Sequence, residues 1–215
     1  ADHFDVGQIL VQKDLARTLR RISDDGERGF YQGPVGAAIV ASSQAGRGII
    51  TQADLDQYRT REMPPVECDY RGYRVISAPP PSSGGVIVCV ILNVLEGYPL
   101  KEWGFRSAEA VHVQIEAMRH AYMDRNTYLG DPDFVQNPLD RLLDKGYARK
   151  LRDAINPTRA GVSKDIVPGI PPHEGSNTTH YSIVDRFGNA VSVTYTLNDW
   201  FGARVTAAGT GVLLN

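Results

Sequence analysis

The sequence predicts an α/β chain, mostly helical before residue 177 and a β-hairpin after it. Three observations carry that reading. Apolar residues recur at helical spacing, between capping residues, through the first two-thirds of the chain. A Pro-, Gly- and Ser-rich stretch without periodicity then runs over residues 156–177. Beyond it, residues 178–185 and 189–197 are rich in Thr, Val and Tyr and flank Arg186-Phe187-Gly188. A three-residue connection with glycine third suits a hairpin, the glycine taking the left-handed position.

Taken in order, Leu15, Leu19 and Ile22 fall at i, i+4 and i+7 within residues 12–23, with Lys13, Arg17, Arg20 and Arg21 outside that stripe: an amphipathic helix. Thr51 followed by Asp54 forms a variant capping box opening a short helix to Tyr58, which Met63-Pro64-Pro65 closes off. Two short strands are expected at 66–71 and 73–78 around Arg71-Gly72. Pro79-Pro80-Pro81-Ser82-Ser83-Gly84-Gly85 reads as a rigid loop, because prolines lack donors and glycines accept positive φ; it feeds a buried helix over 86–95. A longer helix follows over 107–126, capped by Ser107, with Val111, Ile115, Met118 and Tyr122 on its apolar face. Asn137-Pro138 fits an N-cap with proline at N1, opening a helix to about Leu143, and another helix begins at Asp144.

Composition excludes several classes. The chain has 215 residues, with 23 Lys+Arg against 25 Asp+Glu mixed along it and a formal charge of −2, which argues against a nucleic-acid tether or polybasic membrane anchor. Its longest strongly apolar run, residues 86–92, is far short of the ~20 residues a spanning helix needs. Ala1-Asp2-His3-Phe4-Asp5 lacks the basic and apolar regions of a signal peptide. Cys68 and Cys89 cannot build a disulfide framework or a Cys-rich zinc site, and Cys89, among Val88, Val90 and Ile91, is expected to be a buried small hydrophobe. Both ends read as cut rather than finished, the expectation for a window on a longer protein.

The hairpin's register sets which side chains share a face. If Asp185 faces Asn189, then Val184 faces Ala190, His180 faces Thr194 and Thr178 faces Thr196, each pair sharing one face of the ribbon. The opposite face carries Val191, Val193, Tyr195 and Leu197 and should meet a core. Thr–Thr pairs are ordinary in sheets, and hydroxyls alone supply no base. His3, His112, His120 and His173 have no triad setting; His112 and His120 are eight apart, not a helical metal pair. His180 shares the face of Thr178, but a strand neighbour two residues away is an unusual base. One base needs no other side chain: the α-amine of Thr178 itself, were the chain cut before it.

Several blocks carry a resemblance. They are Gln12-Lys13-Asp14-Leu15-Ala16, Asp69-Tyr70-Arg71-Gly72-Tyr73, the Pro79–Gly85 loop, Tyr128-Leu129-Gly130-Asp131-Pro132-Asp133-Phe134 and Thr178-Thr179-His180-Tyr181-Ser182. Asp185, Gly188-Asn189-Ala190-Val191-Ser192, Thr194-Tyr195-Thr196-Leu197-Asn198 and Phe201-Gly202 continue the series. In content and order they resemble the γ-glutamyltranspeptidase family, over nearly the whole chain.

The resemblance implies an N-terminal-nucleophile hydrolase with a four-layer αββα core, made as one precursor that cuts itself between Asn177 and Thr178. Residues 1–177 would then be the end of the large subunit and 178–215 the start of the small one. Freed Thr178 would attack the γ-glutamyl carbonyl with its amine as base, and the ester would pass to water or to an amino acid or dipeptide acceptor. By the same resemblance Thr196 positions the nucleophile, Asn198 holds the substrate's α-amino end, and glutathione is the donor, with no metal or cofactor. The family is commonly periplasmic, secreted or surface-exposed. Asp199-Trp200 departs from the family only at a variable pair. The family's oxyanion glycines, paired serines, and Gln and Asp lie beyond Asn215, and its carboxylate-binding arginine lies before Ala1. Losing one oxyanion donor costs ~10²–10³ in rate, so this stretch alone is expected to be inactive. A related acylase, a poly-γ-glutamate depolymerase and an unprocessed scaffold segment are the alternatives.

Overall fold

The computed structural model describes residues 5–162 and 178–215. The chain forms two compact units, Ala1–Thr60 with His173–Asn215, and Arg61–Pro172.

In the first unit α1 (Lys13–Asp25), α2 (Arg28–Tyr31), α3 (Gly33–Ala45) and α4 (Gln52–Gln57) follow one another. The capping box at α4 forms in both directions: Thr51 N donates to Asp54 Oδ2 at 2.7 Å, and Asp54 N to Thr51 Oγ1 at 3.3 Å. The stripe expected on α1 is rotated. Thr18 is its buried residue, Leu15 and Ile22 flank it, and Leu19 is exposed. The cause is polar: Thr18 Oγ1 donates to the carbonyl of Thr210 at 2.9 Å, so α1 docks through a hydroxyl as well as apolar carbons. Val35 and Ile39 of α3 form a core with Ala207 and Leu214, and Ala208 N donates to Ser42 Oγ at 3.0 Å. The element α3 has no marked periodicity in sequence, because its buried residues include Gly36 and Ser43 beside Val35 and Ile39.

The second unit begins with β1 (Val66–Tyr70) and β2 (Tyr73–Ser77), paired antiparallel with Tyr70 opposite Tyr73. Arg71 and Gly72, both at positive φ, make the tight turn between them. Then come α5 (Gly84–Leu95), α6 (Leu100–Trp103), α7 (Ala108–Tyr128), α8 (Leu139–Leu142) and α9 (Lys145–Ala154). The helix α5 is buried, as expected, and the glycine pair lies inside its first turn; a Cβ on Gly85 would stand 2.4 Å from the carbonyl oxygen of Ala78.

Three expectations are corrected in this unit. Cys68 of β1 and Cys89 of α5 form a disulfide, so Cys89 is fully buried as expected but is not a free thiol. A separation of 21 residues gives no hint that strand and helix pack together. On α7, capped by Ser107, the buried face is Val113, Ala117 and Ala121, while Val111, Ile115, Met118 and Tyr122 are exposed. Small alanines let α7 approach α5 closely, and close approach outweighs side-chain size in choosing the face. Asn137 caps no helix; its side chain accepts from Gly130 N at 2.9 Å and donates to Gly130 O at 3.1 Å, closing the loop after α7. The helix expected to begin at Asp144 starts there, with Asp144 as its N-cap accepting from Tyr147 N at 2.7 Å.

The first unit ends with β3 (Thr179–Val184) and β4 (Ala190–Tyr195), in the register read from the sequence: His180 opposite Thr194, Val184 opposite Ala190. Asp185 builds the loop by accepting from Phe187 N at 2.8 Å and Asn189 N at 2.9 Å, and Gly188 sits at φ 85°. The expected core against this ribbon is not found among the described residues, where Val191 and Tyr195 are exposed along with Tyr181 and Ile183.

Candidate active site

Thr178 is the first described residue of its stretch and stands immediately before β3. Its position follows from the pleat. Residues 178, 180 and 182 point to one side of β3, and 192, 194 and 196 meet them there. Thr178 Oγ1 donates to Thr196 Oγ1 at 3.2 Å, the cross-strand pair expected from sequence. Thr196 Oγ1 also accepts from the backbone N–H of Asn198 at 3.0 Å. That bond bends the chain as it leaves β4 and brings Asn198, at φ 64°, beside the two threonines. Asparagine is among the few non-glycine residues that tolerate this left-handed conformation. Its side-chain Nδ2 donates to Asn215 Oδ1 at 2.9 Å, a contact the sequence did not reveal.

Thr178, Thr196, Leu197, Asp199 and Trp200 line a cleft of about 440 Å³. Trp200 N donates to Asp199 Oδ1 at 2.7 Å, and Arg204 approaches the other oxygen of that carboxylate at 3.7 Å. The cleft thus has an aromatic wall and a fixed acid beside a hydroxyl pair. A hydroxyl bonded to a hydroxyl is positioned but not activated, so a nucleophilic role needs a base from elsewhere. Asn177, the other half of the expected cleavage site, and His173 lie outside the described residues.

His180 occupies the next place on the same face. Its Nδ1 shares a hydrogen bond with Thr194 Oγ1 at 2.9 Å, and its Nε2 one with Ser192 Oγ at 3.1 Å. Its place on the face was legible from the register; its grip on two hydroxyls was not. Among the described residues no group of three or more His, Cys, Asp or Glu could hold a metal ion.

The fold of this α/β chain is that of γ-glutamyltranspeptidases and a related acylase of known structure. The γ-glutamyltranspeptidase of Helicobacter pylori superposes with a TM-score of 0.73 at 46% identity, over 80% of this chain and 49% of that one. Cephalosporin acylase from Bacillus halodurans superposes at 0.80 with 27% identity, over 98% of this chain and 37% of that one. The sequence profile described as Gamma-glutamyltranspeptidase matches residues 1–215, and the chain belongs to that family. A glutathione hydrolase proenzyme of Pseudomonas sp. (strain A14) is 73% identical over 99% of this chain and 37% of its own length. That of Escherichia coli K12 is 47% identical over 97% and 36%. An Acylase ACY 1 proenzyme of Pseudomonas sp. (strain V22) is 42% identical over 97% and 37%. The chain therefore spans little more than a third of the length of these curated relatives.

Proposed function

We propose that the protein carrying this chain is a γ-glutamyltransferase and glutathione hydrolase of the N-terminal-nucleophile class, its four-layer αββα core completed by sequence outside residues 1–215. Its precursor cuts itself between Asn177 and Thr178. The Thr178 hydroxyl attacks the carbonyl of Asn177, the peptide becomes an ester, and water releases the ester to leave Thr178 with a free α-amine. Residues 1–177 then end the large subunit and 178–215 begin the small one.

The observation that carries the reading is the 3.2 Å hydrogen bond between Thr178 and Thr196. It holds the nucleophile's hydroxyl at a strand terminus, where a newly freed α-amine on the same residue can take its proton. Thr178 Oγ1 attacks the γ-glutamyl carbonyl of a donor such as glutathione. The amine collects the hydroxyl proton and passes it to the leaving group, and a γ-glutamyl ester remains on Thr178. Water, an amino acid or a dipeptide resolves it. Asn198, held by Thr196 and Asn215, is the group offered to the substrate's α-amino end.

The Cys68–Cys89 disulfide supports a periplasmic or extracellular location, since such bonds persist where the environment is oxidising. Residues 1–215 in isolation are expected to turn over no γ-glutamyl compound. Acylase activity is the second reading, favoured by the match to the Acylase ACY 1 proenzyme.

The test is made on the full-length precursor. Two chains on a denaturing gel, the smaller beginning at Thr178, together with γ-glutamyl anilide turnover lost in T178A, are the expected results. An uncleaved protein that hydrolyses the anilide overturns the mechanism, whereas an uncleaved protein without turnover decides for the scaffold alternative. Cephalosporin turnover exceeding that of glutathione decides for the acylase.

A further inference from the structure

We propose that His180 is a positioning residue for Thr178: it braces the open end of the hairpin on which the nucleophile sits. The inference rests on the reading of Thr178 as nucleophile and adds a residue to that site.

The ribbon of β3 and β4 needs such a brace. Terminal pairs of a strand ladder fray first. The loop end is well fixed by Asp185, whose carboxylate takes two backbone N–H groups and the Asn189 side chain. Thr178 lies at the opposite end, one residue outside the ladder, whose first pair is Thr179 with Tyr195. Once the chain is cut before Thr178, no covalent link remains on its N-terminal side. Among the described residues the hydrogen bond to Thr196 is what then holds the reacting side chain.

His180 stands at the first same-face position inside that end. Its two ring nitrogens engage successive hydroxyls of β4, Thr194 at 2.9 Å and Ser192 at 3.1 Å, and Ser182 Oγ of its own strand lies 3.4 Å from Nε2. One rigid ring thus ties two turns of the pleat across the ribbon. Serine or threonine at position 180 could reach only one partner. Thr194 is two residues before Thr196, so a brace on Thr194 fixes the part of β4 that presents the Thr196 hydroxyl. His180 makes no hydrogen bond to Thr178 itself, whose partner is Thr196, and it is therefore a positioning rather than a proton-transferring group. Near-attack geometry is steep: a misplacement of about 1 Å can cost roughly 10² in rate.

The test uses the full-length precursor, with H180A, H180N, T194V, S192A and T178A compared and kcat taken per cleaved molecule. H180A is expected to lower kcat about tenfold with KM for a γ-glutamyl anilide within about twofold, and with the pH profile of kcat unmoved. H180N recovers part of the loss, because its amide can keep Thr194 but cannot also reach Ser192. The double variant H180A/T194V is no slower than H180A, as expected for two ends of one contact. Wild-type kcat in H180A, additive losses in the double variant, or a displaced pH profile each overturn the brace. Should H180A fail to accumulate, T194V/S192A carries the same test from the partner side: a fall of about tenfold supports the brace, and an unchanged kcat overturns it. An active T178A sinks the nucleophile reading, whereas an inactive T178A beside a wild-type-like H180A sinks only the brace.

Discussion

Thr196 Oγ1 stands between Thr178 Oγ1, which donates to it at 3.2 Å, and the backbone N–H of Asn198, which donates to it at 3.0 Å. In the proposed mechanism one hydroxyl therefore sets both the nucleophile, Thr178, and Asn198, the group offered to the substrate's α-amino end. T196V keeps the shape and removes both bonds. A typical hydrogen bond is worth about 1 kcal/mol, or roughly fivefold to tenfold in a rate or binding constant. The expected outcome is a fall in kcat and a rise in KM of that order in the same variant, with T196S restoring both. Steady-state kinetics with a γ-glutamyl anilide checks it; a change in kcat alone would detach Asn198 from the relationship.

Cys68 and Cys89 join β1 to α5 across 21 residues, in the middle of the second unit's core. Cross-linking a loop of that size limits the unfolded chain, with a typical worth of about 3 kcal/mol. The variant C68A/C89A is expected to lose about 2–4 kcal/mol in urea denaturation. Intact protein under non-reducing conditions should take up no maleimide, even after unfolding. Two labels on the unreduced, unfolded chain would show that the bond is absent.

Much of the fold was legible because it is locally encoded. Thr51 with Asp54, Ser107 and Asp144 cap helices that begin where those side chains can satisfy free backbone donors. The β3–β4 register followed from one glycine-ended loop and the two-residue period, and with it came the Thr178–Thr196 pair. What escaped depends on partners distant in sequence. Leu19 yielded the buried face of α1 to Thr18 because Thr210 supplies a carbonyl there. Asn137 left its capping role because Gly130 offers both a donor and an acceptor. The disulfide and the contact from Asn198 to Asn215 are likewise matters of tertiary proximity, for which spacing carries no signal.

The reversed face of α7 gives a direct comparison. Ala117 is fully buried in the core cluster that α5 and α7 share, whereas Ile115 is about half exposed. Overpacking a tight interface costs about 1–3 kcal/mol, so A117L is expected to lower stability by that amount. Equal tolerance of leucine at both positions, measured as thermal midpoints of A117L and I115L, would contradict the assignment of the buried face.

Asp124 and His120, one turn apart on α7, set the last expectation. Tyr147 Oη donates to Asp124 Oδ1 at 2.8 Å, while Asp124 Oδ2 and His120 Nδ1 are buried without a hydrogen-bond partner. Burial raises the carboxyl's pKa above its usual 3.8, against the pull of Tyr147, Arg141 and His120, and burial lowers that of the imidazole below its usual 6.5. For Asp124 the native state prefers the protonated form. Its contribution is complete below 3.8 and is lost as pH rises through the elevated native value. For His120 the native state prefers the neutral form, so its contribution is present above 6.5 and is lost as pH falls toward the depressed native value. D124N keeps an acceptor for Tyr147 without the buried charge. It is expected to remove the loss of stability on the alkaline side of 3.8 and to raise stability at neutral pH. Y147F does the opposite, leaving the carboxylate without its donor at a cost of about 1–3 kcal/mol. Urea denaturation of the three proteins between pH 4 and pH 8 checks the signs. A D124N variant with the wild-type slope would remove Asp124 as the cause.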